Sequence, residues 1–239
     1  MAMASDGKTD AMEPKAFFLS GGTSVSTFQS FWMGGFEGAD HVNEQGVPLD
    51  INRRNGHGMR LQGDYDALVT LGIRTVRESI GWRLTEAGGA AALDALESQA
   101  HTASQSGVQV IWTLMHYGWP IGLDPLSRPD EFVDAFGDYC ARIASLIVRA
   151  ARPAPVWQPV NEISFLAWAA SSSGLIHPYR RSAPENGHRL KRELVRAALR
   201  AMDRIRSIRS SARFVHTGAL VNIAPPLGPD RRPAVRSGV

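Results

Sequence analysis

The stretch Val108-Gln-Val-Ile-Trp-Thr-Leu-Met115 limits the fold more than any other part of this sequence. Seven of its eight residues are apolar or favour strands, and a continuous run of that kind suits a parallel strand covered on both faces. Parallel strands need crossover helices between them. The flanking sequence supplies these by switching repeatedly between strand-like and helix-like periods.

Ala16–Ser20 and Ser30–Phe36 read as short strands on either side of a Gly-Gly-Thr-Ser loop, and Asp40–Gly58 as a long polar loop. Arg60–Leu71 is expected to be a helix with Leu61, Tyr65, Leu68 and Val69 on one side, stopped by Gly72. A strand begins in Ile73–Val76. A helix is expected over Ala90–Ser106, stopped by Gly107. Pro129–Ala150 is the clearest helix. Pro129 suits its first turn, and Phe132, Phe136, Tyr139, Ile143 and Ile147 recur at three- and four-residue steps. Pro153 and Pro155 precede a strand over Val156–Val160, followed by a helix over Asn186–Ser210 and a strand over Arg213–Thr217. From Ala224 the sequence has no period and reads as a disordered or non-native tail. The expected organisation is a disordered extension over 1–15, one domain over 16–223, and a tail over 224–239.

This β, α, β order builds an α/β protein with a parallel sheet and right-handed crossovers. A doubly wound sheet and a (β/α)8 barrel both fit it. Gly34-Gly35-Phe36-Glu37-Gly38 lacks the Gly-x-Gly-x-x-Gly spacing of dinucleotide folds, and no P-loop occurs. Roughly four and a half β/α units are present, about half the eight that close a barrel. The expected fold class is therefore a (β/α)8 barrel type, incomplete, with two open sheet edges and one uncovered face. Association through those edges is an expected consequence.

Charge argues against a nucleic-acid partner. The net charge is +3, but Arg180–Arg213 holds 11 basic and 3 acidic residues, leaving 15 basic and 20 acidic elsewhere. Arg192, Arg196, Arg200 and Arg204 make a four-residue stripe without interleaved aromatics, which reads as a solvated outer face. No apolar run approaches the ~18 residues of a membrane span. Met1–Ala16 is polar, and Ala16–Leu19 is too short for a signal-peptide core. With Cys140 the sole cysteine, a cytoplasmic, reducing compartment is expected. His41, His57, His116 and His188 lack metal-ligand spacing, and neither metal nor cofactor is expected.

In parallel α/β folds functional residues gather past the C-terminal ends of strands. Those positions hold Gly34–His41 with Glu37, then Arg77-Glu-Ser-Ile-Gly-Trp82-Arg83, then His116-Tyr-Gly-Trp119-Pro120, then Asn161-Glu162. Each pairs a polar or charged group with an aromatic one, a combination suited to sugar: rings stack on C–H faces while polar groups fix hydroxyls. Glu78 alternates away from Arg77 along its strand and reads as structural.

From about Phe17 to Asn222 the sequence resembles the clan A glycoside hydrolases, most closely the family 1 group of β-glucosidases, β-galactosidases and 6-phospho-β-glycosidases. The resemblance implies a (β/α)8 barrel that hydrolyses β-linked sugars with retention. It makes Glu162 the general acid/base and Asn161 the ligand of the sugar 2-hydroxyl. It matches His116 with Trp119 to a sugar-binding pair and Arg77 to the Arg that supports the nucleophile. Glu37 and Trp82 are candidate cleft residues; the group's strand-one sugar-binding Gln has no clean match, with Gln29 and Glu37 as the two alternatives. Ile163 replaces the usual Pro, and Ser79-Ile-Gly-Trp82-Arg83 loosens the group's Ser-Trp-Ser-Arg pattern. The strand-seven nucleophile has no counterpart, because no Glu follows Glu193 and only Asp203 and Asp230 remain. A truncated hydrolase with little activity of its own is expected, with a non-catalytic carbohydrate-binding remnant as the alternative. The expected partner is a β-linked saccharide or glycoside.

Overall fold

The computed structural model describes residues 26–181 and 183–219. Five strands form one parallel sheet in sequential order: β1 (Met33–Gly35), β2 (Thr75–Ser79), β3 (Gln109–Met115), β4 (Val156–Val160) and β5 (Arg213–Phe214). Val76 aligns with Val110, Trp112 with Trp157, and Trp157 with Phe214. Sequential order in a parallel sheet is the arrangement of a winding barrel wall, with every crossover on one side. The expected strand over Ala16–Ser20 and the tail from Ala224 lie outside the described residues.

The crossovers carry α1 (Ile51–Asn55), α2 (Leu61–Thr70), α3 (Trp82–Gln105), α4 (Pro129–Ala150), α5 (Ile163–Ala167) and α6 (Pro184–Ile208). α4 and β4 have the bounds expected from sequence. Three elements correct the expectation. The Asp40–Gly58 segment is not all loop: Asp50 caps α1 by accepting the Arg53 N–H, Gly56 closes it in the left-handed region at φ 70°, and a 3-10 turn follows over His57–Met59. α3 starts eight residues earlier than expected and passes through a kink at Gly89, φ 54°. The segment after Glu162 winds into α5 and a π turn over Trp168–Ser173.

Side-chain alternation divides the sheet into two faces. Trp112 and Leu114 of β3 and Trp157 of β4 are fully buried in one core with Phe132, Phe136 and Ile143 of α4 and Leu194 and Ile205 of α6. The opposite, concave face carries Thr75, Arg77, Gln109, Thr113 and Gln158. Among the described residues no helix is long and apolar enough to cross a membrane.

Candidate active site

Past the strand ends, polar groups from four strands converge on the concave side. A cavity of about 620 Å³ is lined by Gly35, Glu37, Arg77, Ile111, Gln158 and Thr217, among others. Its floor is a hydrogen-bond relay. The Thr113 hydroxyl donates to Gln158 Oε1 at 3.1 Å. Gln158 Nε2 donates to Thr217 Oγ1 at 2.6 Å and to Asn161 Oδ1 at 2.9 Å. Asn161 Oδ1 also accepts from Arg77 Nη1 at 3.0 Å and from Thr217 Oγ1 at 3.2 Å. Three donors on one oxygen fix the amide's orientation, so its NH2 group is the end turned toward the Tyr117 phenol.

His116 is buried, with Nδ1 2.8 Å from Ser79 Oγ and Nε2 3.6 Å from Glu37 Oε1. Burial pushes its pKa down to about 4, opposed by the Glu37 and Glu162 carboxyls and reinforced by the Arg77 charge. At neutral pH the ring is therefore uncharged, a donor at one nitrogen and an acceptor at the other, as hydroxyl recognition requires.

Glu162 stands between β4 and α5 with φ 48° and ψ 57°. Tyr117, just past β3, has φ 73°. Non-glycine residues seldom adopt the left-handed region, and such strain concentrates at functional sites. The Tyr117 phenol donates to Glu162 Oε2. Burial, followed by this bond and the Glu162 charge, raises the phenol's pKa. The Phe165 ring packs 5.6 Å from Tyr117, centroid to centroid.

Behind the site, Asp40 is fully buried. Its Oδ1 accepts the Gly118 N–H at 3.1 Å, and among the described residues Oδ2 has no partner. Gly118 must lack a side chain here, because a Cβ would lie 2.6 Å from the Asp40 carboxyl carbon. Burial raises the Asp40 pKa to about 7, although the Arg83 charge and backbone hydrogen bonds pull it down.

Glu37, Arg77, His116, Asn161 and Glu162 thus share the strand-end region expected from sequence. Two aromatic candidates do not. Trp82 is 1% exposed and stacks on Tyr139 between α3 and α4, at 5.7 Å. Trp119 is 4% exposed, edge-on to Phe132 and facing His177. Both rings belong to the helix layer, because the chain turns outward as it leaves each strand. Sequence reasoning missed Gln158, Thr217 and Tyr117 as site components. Gln158 had a signal, since it interrupts an apolar strand at an inward-facing position. Among the described residues no group of three or more His, Cys, Asp or Glu side chains is placed to hold a metal.

No protein-family model and no curated relative matches the chain. Solved structures do. It is similar to a family 1 β-glucosidase from Thermotoga maritima at 22% identity and TM-score 0.58, over 67% of this chain and 38% of that one. The Thermotoga β-glucosidase in complex with glucoimidazole matches with the same identity and TM-score, over 67% of this chain and 37% of that one. Its complex with castanospermine matches at 22% identity and TM-score 0.58, over 66% and 37%. The likeness shows the fold, part of a (β/α) barrel, and this chain spans 37–38% of the length of the structures it matches.

Proposed function

We propose that these residues form the acid/base side of a retaining β-glycoside hydrolase site. The observation that carries the reading is Asn161-Glu162 at the end of β4. The amide oxygen is held by three donors, one of them the Arg77 that lines the cavity, and the neighbouring carboxyl sits on a left-handed backbone beside Tyr117. Asn161 would donate an amide N–H to the hydroxyl beside the anomeric carbon. His116 and Glu37 would bind further hydroxyls, the ring as a neutral donor–acceptor. Glu162 would protonate the departing glycosidic oxygen and then, as its carboxylate, draw a proton from the attacking water. The Arg77 guanidinium would favour negative charge on a nucleophile or on the developing transition state.

A retaining mechanism places a second carboxylate ~5–5.5 Å from the first. No Glu follows Glu193, and Asp203 lies within α6. On this reading Asn161, His116 and Glu37 bind the saccharide, and retaining cleavage requires such a carboxylate facing Glu162. A second reading, a saccharide-binding module without catalysis, would use the same Asn161, His116 and Glu37 groups. The sugar-shaped ligands named in complexes of the Thermotoga enzyme supply a probe class. Calorimetry with a glucose-like iminosugar should show binding to the folded chain, weakened at least tenfold (about 1.4 kcal/mol) by Asn161→Ala through loss of a directed hydrogen bond. Absence of binding by the folded wild-type chain would overturn both readings. Cleavage of an aryl β-glycoside that disappears in Glu162→Gln would overturn the second.

A further inference from the structure

A second polar cluster lies behind the cleft, on the helix side of the sheet. Glu78 alternates outward from Arg77 on β2 and is fully buried. A buried carboxyl needs donors. Glu78 Oε1 has two, the Tyr65 hydroxyl at 2.8 Å and His57 Nε2 at 3.0 Å, while Oε2 has none among the described residues. The other nitrogen of the same ring, His57 Nδ1, lies 2.7 Å from Asp64 Oδ2. Both ring nitrogens therefore face carboxyl oxygens. A neutral imidazole carries one N–H and satisfies one of them, whereas the imidazolium satisfies both.

The surroundings reinforce this arrangement. The groups facing the ring are Glu78 from β2, and Asp64 and the Tyr65 phenol from α2. Arg60, after the 3-10 turn, sends Nε to 3.8 Å from Asp64 Oδ1. From the β1 side comes the uncharged Phe36 ring, stacked on His57 at 3.5 Å and 12°. Burial alone would lower the pKa of His57, but the hydrogen bonds and charges of Glu78 and Asp64 outweigh it and raise the ring above its usual value.

The cluster also has a grip on the cleft. Phe36 directly precedes Glu37. Asn55 accepts the His57 backbone N–H at 2.9 Å and donates through Nδ2 to the Glu37 carbonyl at 3.0 Å. Glu78 itself sits between Arg77, which holds Asn161, and Ser79, which holds His116. We propose that His57, bridging Asp64 and Glu78, is a pH-sensitive clamp that positions the β1 strand end carrying Glu37 against β2. The imidazolium closes it. Loss of one proton opens the Asp64 side, because the Asp64 side chain is 24% exposed and can turn to water whereas that of Glu78 is 0% exposed and cannot. The clamp acts on Glu37 whatever ligand the cleft takes, so it stands apart from the glycosidase reading.

For a group raised in the folded state, the added stability is complete below its unfolded value of about 6.5 and disappears as pH rises through the folded value. Asp40 changes stability in the same direction at lower pH, so global unfolding does not isolate the clamp and a residue-resolved measurement is needed. The experiment follows the His57 ring nitrogens by 15N NMR through a pH titration. It also follows amide exchange at Phe36, Glu37 and Gly38, corrected for intrinsic base catalysis. The chain is compared with Asp64→Asn and His57→Gln, each in an Asp40→Asn background. The expected midpoint lies above 6.5, with the Nε2–H tautomer above it, and strand-end protection falls in step with the ring. Asp64→Asn, at a partly exposed position that tolerates an amide, should lower the midpoint and cost roughly tenfold in protection at low pH, the scale of one charge-assisted hydrogen bond. His57→Gln should make protection independent of pH across the wild-type midpoint. A midpoint below 6.5, an Nδ1–H tautomer, or strand-end exchange that ignores the ring's titration would overturn the proposal.

Discussion

On β3 and β4, Trp112 and Trp157 point into a layer sealed by α4 and α6, while Thr113 and Gln158, one residue further along each strand, turn to the opposite face, where Thr113 donates to Gln158 and Gln158 lines the cavity. The two faces share a backbone and differ by one step of side-chain alternation. On the helix side, stability comes from apolar area removed from water. On the concave side, each buried polar group depends on a named partner, and the outermost members present their remaining hydrogen-bonding capacity to the cavity. The same sheet thus combines a rigid back with a recognition surface.

The largest test of that contrast is Phe136→Ala. Phe136 is fully buried in the α4 seam and lies 5.1 Å from the Trp82 ring, centroid to centroid. Its removal should cost about 3–5 kcal/mol in urea unfolding. A cost below about 1 kcal/mol would mean that the helix layer is not what holds the sheet.

Asp40→Asn should act at the boundary between the two regions, with a pH signature. The native carboxyl keeps its proton up to about 7, whereas the unfolded one loses it near 3.8. Between those values the folded state binds more protons, so stability falls as pH rises and then levels off. The amide cannot ionise, so the variant should gain on the wild type across that window, by an amount of order 4 kcal/mol above pH 7. Urea midpoints at pH 4, 6 and 8 measure it. A difference between the two proteins that stays constant with pH would mean that burial does not govern this carboxyl.

How much of this was legible in the sequence follows the same division. The sealed face announced itself. α4 repeats its apolar residues at helical spacing behind Pro129, and β4 is fenced by Pro153 and Pro155, so both were bounded correctly. α3 was started too late because Gly88-Gly89 reads as a break, whereas the chain kinks at Gly89 and continues. α1 is too short for a periodic signal, although Asp50 and Gly56 cap it in the expected way. The π turn in Trp168–Ser173 has no apolar period to read. Strand-end position brought Glu37, Arg77, His116, Asn161 and Glu162 to one region past the strands, where Glu37 and Arg77 line the cavity. It misplaced Trp82 and Trp119, because proximity in sequence to a strand end does not tell which way a large ring turns, and burial drew both into the helix layer. The His57 cluster was invisible, because its four polar members, His57, Asp64, Tyr65 and Glu78, come from the 3-10 turn, α2 and β2 and meet only in the fold.

Gln158→Leu tests the concave side. The substitution would leave the Thr113 hydroxyl without its acceptor and remove one of three donors from Asn161 Oδ1. A stability cost of roughly 1–3 kcal/mol is expected. Iminosugar affinity should fall as well, since a less constrained Asn161 amide pays an ordering cost on binding. Phe136→Ala, measured where the variant is still folded, should leave affinity nearly unchanged. Equal losses of affinity in the two variants would erase the distinction between the faces.

The smallest effect belongs to the outer surface of the helix layer, where the arginine stripe reveals its use. Arg196, Arg200 and Arg204 of α6 reach Asp130, Asp134 and Asp138 of α4 at 2.5, 2.8 and 2.8 Å, each pair 66 residues apart. The constant offset means that the two helices run in the same direction and in register. The rungs differ in what lies beneath the charge. The Arg200 stem crosses Gly137, where a Cβ would come 2.7 Å from its Cγ, so Arg200→Ala removes packing as well as charge. The Arg196 side chain is 44% exposed and that of its partner Asp130 is 82% exposed, so water and salt screen that pair. Arg196→Ala should cost about 0.2–1 kcal/mol in dilute buffer and less in 0.5 M salt, while Arg200→Ala should cost more and keep most of its cost in salt. Urea unfolding at two ionic strengths separates them. If the Arg200 cost disappears in salt as completely as that of Arg196, the ladder is electrostatic throughout, and the seal of the helix layer ends at the apolar seam instead of extending through the arginine stems.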